Sequence, residues 1–269
     1  MPPADSAPTA PGAAPPAQLA FESVGAGPTL VLVAGLGGLG RFWRPLAQVL
    51  ARDWHVLSFD HPGVGGSAPR GAQSIPAIAA AVLELLDAQG IAQFHCVGHS
   101  TGGLVAQALA LDAPQRLRSL VLSSSWAQPD RHFRDLFALR RVVLERAGAG
   151  AYAVLGQLLG YPPAWYAQTL AGPDVPAWTP GEAAQNALVA ERIDMLLGYT
   201  RADELARIAQ PALVVGAADD QIVPFHHAQD LARRLPQAEL VQLDGGHFVP
   251  ATRTADYAEA LQRFLRRHV

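Results

Sequence analysis

The chain has 269 residues, 50% of them apolar and only 16% charged, with a formal net charge of −3. That length suits one large α/β domain carrying an insertion, and the charge balance leaves no basic footprint for nucleic acid. No apolar run reaches the length a membrane span requires, so no membrane partner is expected. The single cysteine, Cys96, excludes an intramolecular disulfide and fits a reducing cytoplasm, where it reads as a small core residue.

In chain order, residues 1–18, "MPPADSAPTAPGAAPPAQ", lack the basic and apolar regions of a signal peptide and read as a disordered Pro/Ala-rich tail. Strand-like runs follow at "LAFESV" (19–24), "TLVLVA" (29–34), "WHVLSF" (54–59), "FHCVG" (94–98), "LRSLVLSS" (117–124), "ALVVG" (212–216) and "AELVQL" (238–243). Several have no polar alternation, as expected of strands covered on both faces. Helical patterns lie between them, and this alternation predicts a mostly parallel sheet wrapped by helices. Clearest is Ser74 to Gly90, bracketed by a serine start, an early proline and a closing glycine. From Ala127 to Asp203 no strand is expected, only helical pieces punctuated by "GYPPAWY" and "GPDVPAWTPG". The organisation predicted is a core of residues 19–126 and 204–269 with a helical lid over 127–203.

Gly98-His99-Ser100-Thr101-Gly102 fits G-x-S-x-G, between a strand and a helix. Ser100 is either the helix cap or a nucleophile raised on a tight turn. A nucleophilic serine needs a base and a carboxylate to orient it, and in an elbow protein these follow in the order acid, histidine. Asp219 and Asp220 come directly after the run "ALVVG", and His247 sits in the glycine-bearing loop after "AELVQL". The order is met, with either aspartate as the acid. His99 is expected to pack under the turn, and His226 and His227 to lie in solvent. No spacing of histidines and carboxylates makes a metal pattern, so none is expected.

With these motifs the chain resembles the α/β-hydrolase superfamily from about Leu19 onward. The resemblance implies a sheet of about eight strands with an inserted lid. Its D-x-x-V-P pattern selects Asp220 as the acid, and Asp219 is kept as the alternative. It further implies an oxyanion hole from the backbone N–H groups of Leu36 and Thr101, and no cofactor. Two departures stand out: Ala34-Gly35 where the family has His-Gly, and Pro62 where "DHPGVGGS" (60–67) usually has arginine. Aspartate-nucleophile relatives are excluded by Ser100. The wording of the lid looks most like the aminoacrylate hydrolases of pyrimidine degradation, with the 3-oxoadipate enol-lactonases also similar.

The resemblance thus implies a serine hydrolase acting on a small soluble metabolite, as monomer or homodimer. A carboxylesterase, a carbon–carbon bond hydrolase, a lyase or oxygenase, and a small-molecule binding protein are the alternatives on the same scaffold. Candidate pocket walls are Leu36, Phe42, Trp43, Trp126, Phe137, Tyr161, Trp165, Met195 and Phe248. Arg140, Arg141 and Arg146 form either a solvated helix face or partners for a substrate carboxylate.

Overall fold

Each strand-like run becomes a strand: β1 Phe21–Val24, β2 Thr29–Val33, β3 His55–Phe59, β4 Phe94–His99, β5 Leu117–Ser123, β6 Ala212–Ala217 and β7 Ala238–Leu243. The computed structural model describes residues 18–170 and 183–269. The tail expected over 1–18, apart from Gln18, lies outside them, as does "GPDVPAWTPG". The strands form one sheet in the order β1-β3-β2-β4-β5-β6-β7. β1 runs antiparallel to β3 and every other neighbouring pair is parallel. Seven strands among the described residues is one fewer than the resemblance implied. An eighth would need a further strand-like run, and the described sequence holds seven.

Helices cross over between the parallel strands because parallel neighbours cannot be joined by a tight turn. In chain order they are α1 Arg44–Leu50, α2 Ile75–Ala88, α3 Thr101–Asp112, α4 Arg131–Gly160, α5 Pro163–Thr169, α6 Ala183–Gly198, α7 His226–Arg234, α8 Val249–Thr252 and α9 Thr254–Leu265. Strand alternation then sorts the core. Leu30 and Leu32 of β2 face Leu46, Leu50, Leu261 and Phe264 of α1 and α9, whereas Val31 and Val33 face the core shared with α2, α3 and α7.

Between β5 and β6 the chain leaves the sheet for α4, α5 and α6, and the described residues of this span hold no strand. Asp130 caps α4, accepting from the Phe133 N–H at 2.8 Å. Within α4 the backbone breaks at Gly148, with φ 82° and ψ 176°, a conformation that favours glycine. Phe133, Phe137, Leu144 and Tyr152 of α4, with Ile193 and Leu196 of α6, are buried in the same core as α3. The insertion is thereby seated on the sheet domain.

Local rules set the bounds of α2. The Ser74 hydroxyl accepts from the Ala77 N–H at 3.1 Å, Pro76 occupies the first turn, and Gly90 closes the end at φ 68°. Ser74→Ala is expected to cost about 1 kcal/mol and lower the melting temperature by about 2–4 °C. Calorimetry checks this, and an unchanged melting curve would reject the cap.

Candidate active site

The strand-to-helix turn between β4 and α3 carries Ser100 at φ 54° and ψ −120°. For a residue with a Cβ, such backbone is sparsely populated and costs on the order of 1–3 kcal/mol. Two hydrogen bonds hold it: the Ser100 N–H donates to Ser123 O at 2.8 Å, and the Gly103 N–H donates to Ser100 O at 2.9 Å. Glycines let the elements close on each other. A Cβ on Gly98 would lie 2.2 Å from Gly102 O, and one on Gly102 would lie 2.2 Å from Val33 O. The Ser100 side chain makes no capping bond to α3, so the cap reading fails.

Asp220 and His247 meet where the sequence order required. His247 Nδ1 lies 2.9 Å from Asp220 Oδ2, both residues are buried, and Asp220 Oδ1 accepts from the Ile222 and Val223 N–H groups at 2.9 and 2.8 Å. Asp219 is differently engaged, since its Oδ1 accepts from the Gly245 and Gly246 N–H groups, both at 2.9 Å. Asp220 therefore touches the imidazole and Asp219 shapes the loop that carries it. Ser100 and His247 share no hydrogen bond within 3.5 Å. Such contacts are commonly long before substrate binds and tighten in the complex. The buried His99 lies between elbow and loop, with its ring centroid 4.9 Å from that of His247 and 5.2 Å from that of Phe42.

Gly35 brings the loop after β2 against the Ser100 turn, because a Cβ there would lie 3.2 Å from Ser100 Cβ. Gly35 O accepts from the Gly38 N–H at 2.9 Å, which shapes the turn containing Leu36. Neither the Leu36 N–H nor the Thr101 N–H is committed to a backbone partner. The Ala34 found in place of histidine leaves this loop braced from elsewhere. Arg192 of α6 donates from Nε to Leu36 O at 2.7 Å and from Nη1 to Gln73 Oε1 at 2.7 Å, and its Nη2 lies 2.8 Å from His61 Nδ1. Asp60 and Ser67 fasten the neighbouring loop despite Pro62, with Asp60 accepting from the Gly40 and Gly66 N–H groups at 2.8 and 3.0 Å.

The aromatic residues named from sequence fall in three places. Phe248 packs on Phe42, on Tyr161 and on His247, and Tyr161 stacks on Trp165 at 4.5 Å. Trp126 is fully buried against Phe133, which touches Phe137, and Met195 lies in the same core. Trp43 is a core residue of the opposite sheet face, placed edge-on to His99.

One other expectation, that of a solvated histidine pair, is corrected by the structure. His227 is buried, not solvated, with its ring against Phe133, while His226 is exposed and hydrogen-bonds Asp130 at 2.8 Å. Asp130, His226 and His227 bring ligand-type atoms within 4.8 Å of one another, and the α4 cap together with this histidine bond accounts for the grouping. Arg140 is buried, whereas Arg141 pairs with Asp194 and Glu145 in the open and Arg146 is exposed. Sequence reading did not single out His61, Tyr152 or Arg192. Their one signal, charge and polarity inside apolar helical or loop text, is shared with many surface residues.

Residues 28–254 match the model of the alpha/beta hydrolase fold family, and the chain belongs to that family. It is a hydrolase. A relative from Stutzerimonas stutzeri, which carries the provisional name carbamate hydrolase RutD, is 40% identical over 227 residues, covering 82% of this chain and 84% of that protein. The crystal structure of a hydrolase from Pseudomonas aeruginosa aligns with a TM-score of 0.79 at 28% identity, covering 93% of this chain and 94% of the other. In fold alone, the enol-lactonase from Burkholderia xenovorans is similar at a TM-score of 0.79 and 23% identity, over 93% and 97% of the two chains. No described helix is long and apolar enough to cross a membrane.

Burial holds three histidines neutral. His61 and His99 fall well below the ordinary value of 6.5, with Arg192 adding to the effect at His61 and His247 at His99. His95 falls to about 4, again chiefly by burial. The unfolded chain takes up these protons near pH 6.5 and the folded chain does not, so stability is complete above that pH and declines as pH falls. Each histidine contributes a slope of up to about 1.4 kcal/mol per pH unit below it. Urea midpoints at descending pH should fall accordingly, and a midpoint constant from neutrality down to about pH 5 would refute this account.

Proposed function

We propose that Ser100, His247 and Asp220 act as nucleophile, base and orienting acid in a cofactor-free hydrolase of small metabolites. The substrate is an ester, an enol-lactone or an aminoacrylate-type C–N compound. The observation that carries this reading is the 2.9 Å contact of His247 Nδ1 with Asp220 Oδ2, which leaves Nε2 for Ser100. The C–N option draws on the name of the relatives, and the lactone option on resemblance in fold.

For a substrate with a carbonyl at the reacting centre, Ser100 Oγ bonds to that carbon as its proton passes to His247 Nε2. The N–H groups of Leu36 and Thr101 hold the oxyanion, a donor pair of which each member is worth about 2.7–4 kcal/mol in the transition state. As the intermediate collapses, the leaving oxygen or nitrogen takes the proton from His247. Water then gives a proton to His247 and adds to the acyl carbon, and the bond to Oγ breaks with the proton returned to serine. Helices α4 to α6 serve as the lid, in keeping with the 7% and 4% exposure of Ser100 and His247. A covered site of this kind strengthens the electrostatics of the oxyanion.

A fluorophosphonate is expected to label Ser100 and no other residue, and an activated ester to give a burst of acyl-enzyme. Ser100→Ala should abolish both and reduce turnover by about 10⁴-fold or more. Asp220→Asn should lower kcat by about 10⁴-fold through loss of the correct imidazole tautomer. Label on a different residue, or full turnover by Ser100→Ala, would overturn the assignment.

A further inference from the structure

The inserted helices carry buried cationic and phenolic groups that take no part in the proposed bond-making steps. Arg140 is 7% exposed, Arg192 2% and Tyr152 8%. The Arg140 guanidinium sits over the rings of Tyr152 and Phe137, 4.4 and 4.8 Å from their centroids. Gly156 makes room for it, since a Cβ there would lie 2.9 Å from Arg140 Nη2. Arg140 Nε and the Tyr152 hydroxyl are both buried without a hydrogen-bond partner. Among the described residues no carboxylate pairs with either arginine. Glu191, the nearest acidic influence on Arg192, is engaged with the Gln73 N–H at 2.8 Å.

Burying a guanidinium without a counter-charge is costly, and buried donors without acceptors add to the cost. Cation–π contact offsets part of it but leaves the in-plane N–H groups unused. The Tyr152 hydroxyl lies in the field of both Arg140 and Arg192. Two connections lead from these residues to the candidate site. Arg192 holds Leu36 O at 2.7 Å. Gly156 lies one helical turn before Gly160, whose carbonyl accepts from the N–H of Phe248, the neighbour of His247, at 3.2 Å.

We propose that Arg140 and the Tyr152 hydroxyl, backed by Arg192, bind a carboxylate of the substrate, so that this hydrolase selects small carboxylic-acid metabolites. The inference rests on the serine-hydrolase reading for its catalytic consequence, not for the binding itself. Arg192 already spends donors on Leu36, Gln73 and His61, which leaves Arg140 and one hydroxyl as the open set. A planar fork of N–H groups matches a planar monoanion, and the aromatic faces on either side exclude water from the pair.

Binding is tested on the intact chain with malonate as the probe and neutral malonamide as control, at equal ionic strength. Malonate is expected to raise the melting temperature by several degrees and malonamide not to, and Arg140→Met to abolish the difference. Equal shifts with the two compounds, or a malonate shift that survives in Arg140→Met, overturn the proposal. Should that variant fail to fold, the wild-type comparison decides alone. The catalytic consequence is read from p-nitrophenyl hemisuccinate against p-nitrophenyl butyrate. The ratio of their kcat/KM values should fall about 100-fold in Arg140→Met and recover in part in Arg140→Lys. An unchanged ratio overturns the selection claim. Absence of fluorophosphonate label at Ser100 would instead defeat the serine-hydrolase reading and leave the malonate experiment standing.

Discussion

The top of the sheet depends on how closely α3 approaches β2 and β4. Gly98 and Gly102 permit contacts that any Cβ would block, at 2.2 Å from a backbone oxygen in each case. With the helix this near, the chain must reverse within one residue, and Ser100 takes a backbone conformation that serine rarely adopts. Nearness also dictates Gly35, because the loop after β2 has to pass against the Ser100 side chain. The N–H groups of Leu36 and Thr101 are left uncommitted beside the serine as a result. One packing constraint thus places Ser100, its turn and the loop after β2 together, and the energy of the strained residue is supplied by the strands around it.

Much of this was legible in advance, for identifiable reasons. Strands such as β2 and β6 are continuous apolar runs, and a strand buried on both faces leaves that signature without help from distant residues. The elbow was legible because its geometry demands glycine at fixed offsets from serine. Asp220 and Asp219 were harder to separate, since both stand at the end of β6, and their difference lies in which loop atoms each one meets. One touches His247 and the other the two glycines before it.

Less legible were the residues whose meaning comes from contacts more than a hundred positions away. Arg192 meets Leu36, Gln73 and His61 across separations of 156, 119 and 131 residues. In sequence it stands within "VAERIDMLL", where an arginine beside a glutamate reads as helix surface. Arg140 belongs to an arginine run of which Arg141 and Arg146 do face solvent, so local text assigns all three alike. Helical period separates them only once the face turned toward the core is known. The missing loop histidine at Ala34 has a similar explanation, because the brace it leaves to others comes from an inserted helix and not from the loop.

The break at Gly148 carries a consequence for how such a protein diversifies. On an unbroken α-helix Arg140 and Tyr152 would stand about 18 Å apart along the axis, yet the guanidinium rests 4.4 Å from the tyrosine ring. The chain turns back on itself at one glycine, and the two arms close like the jaws of a caliper. One jaw bears the arginine and the other ends at Gly160, against the histidine loop. The placement of Arg140 relative to the histidine loop is then set in part by the backbone angle at Gly148. Lengthening either arm, or resetting that angle, would move the arginine relative to the histidine loop without altering Ser100, Asp220 or His247.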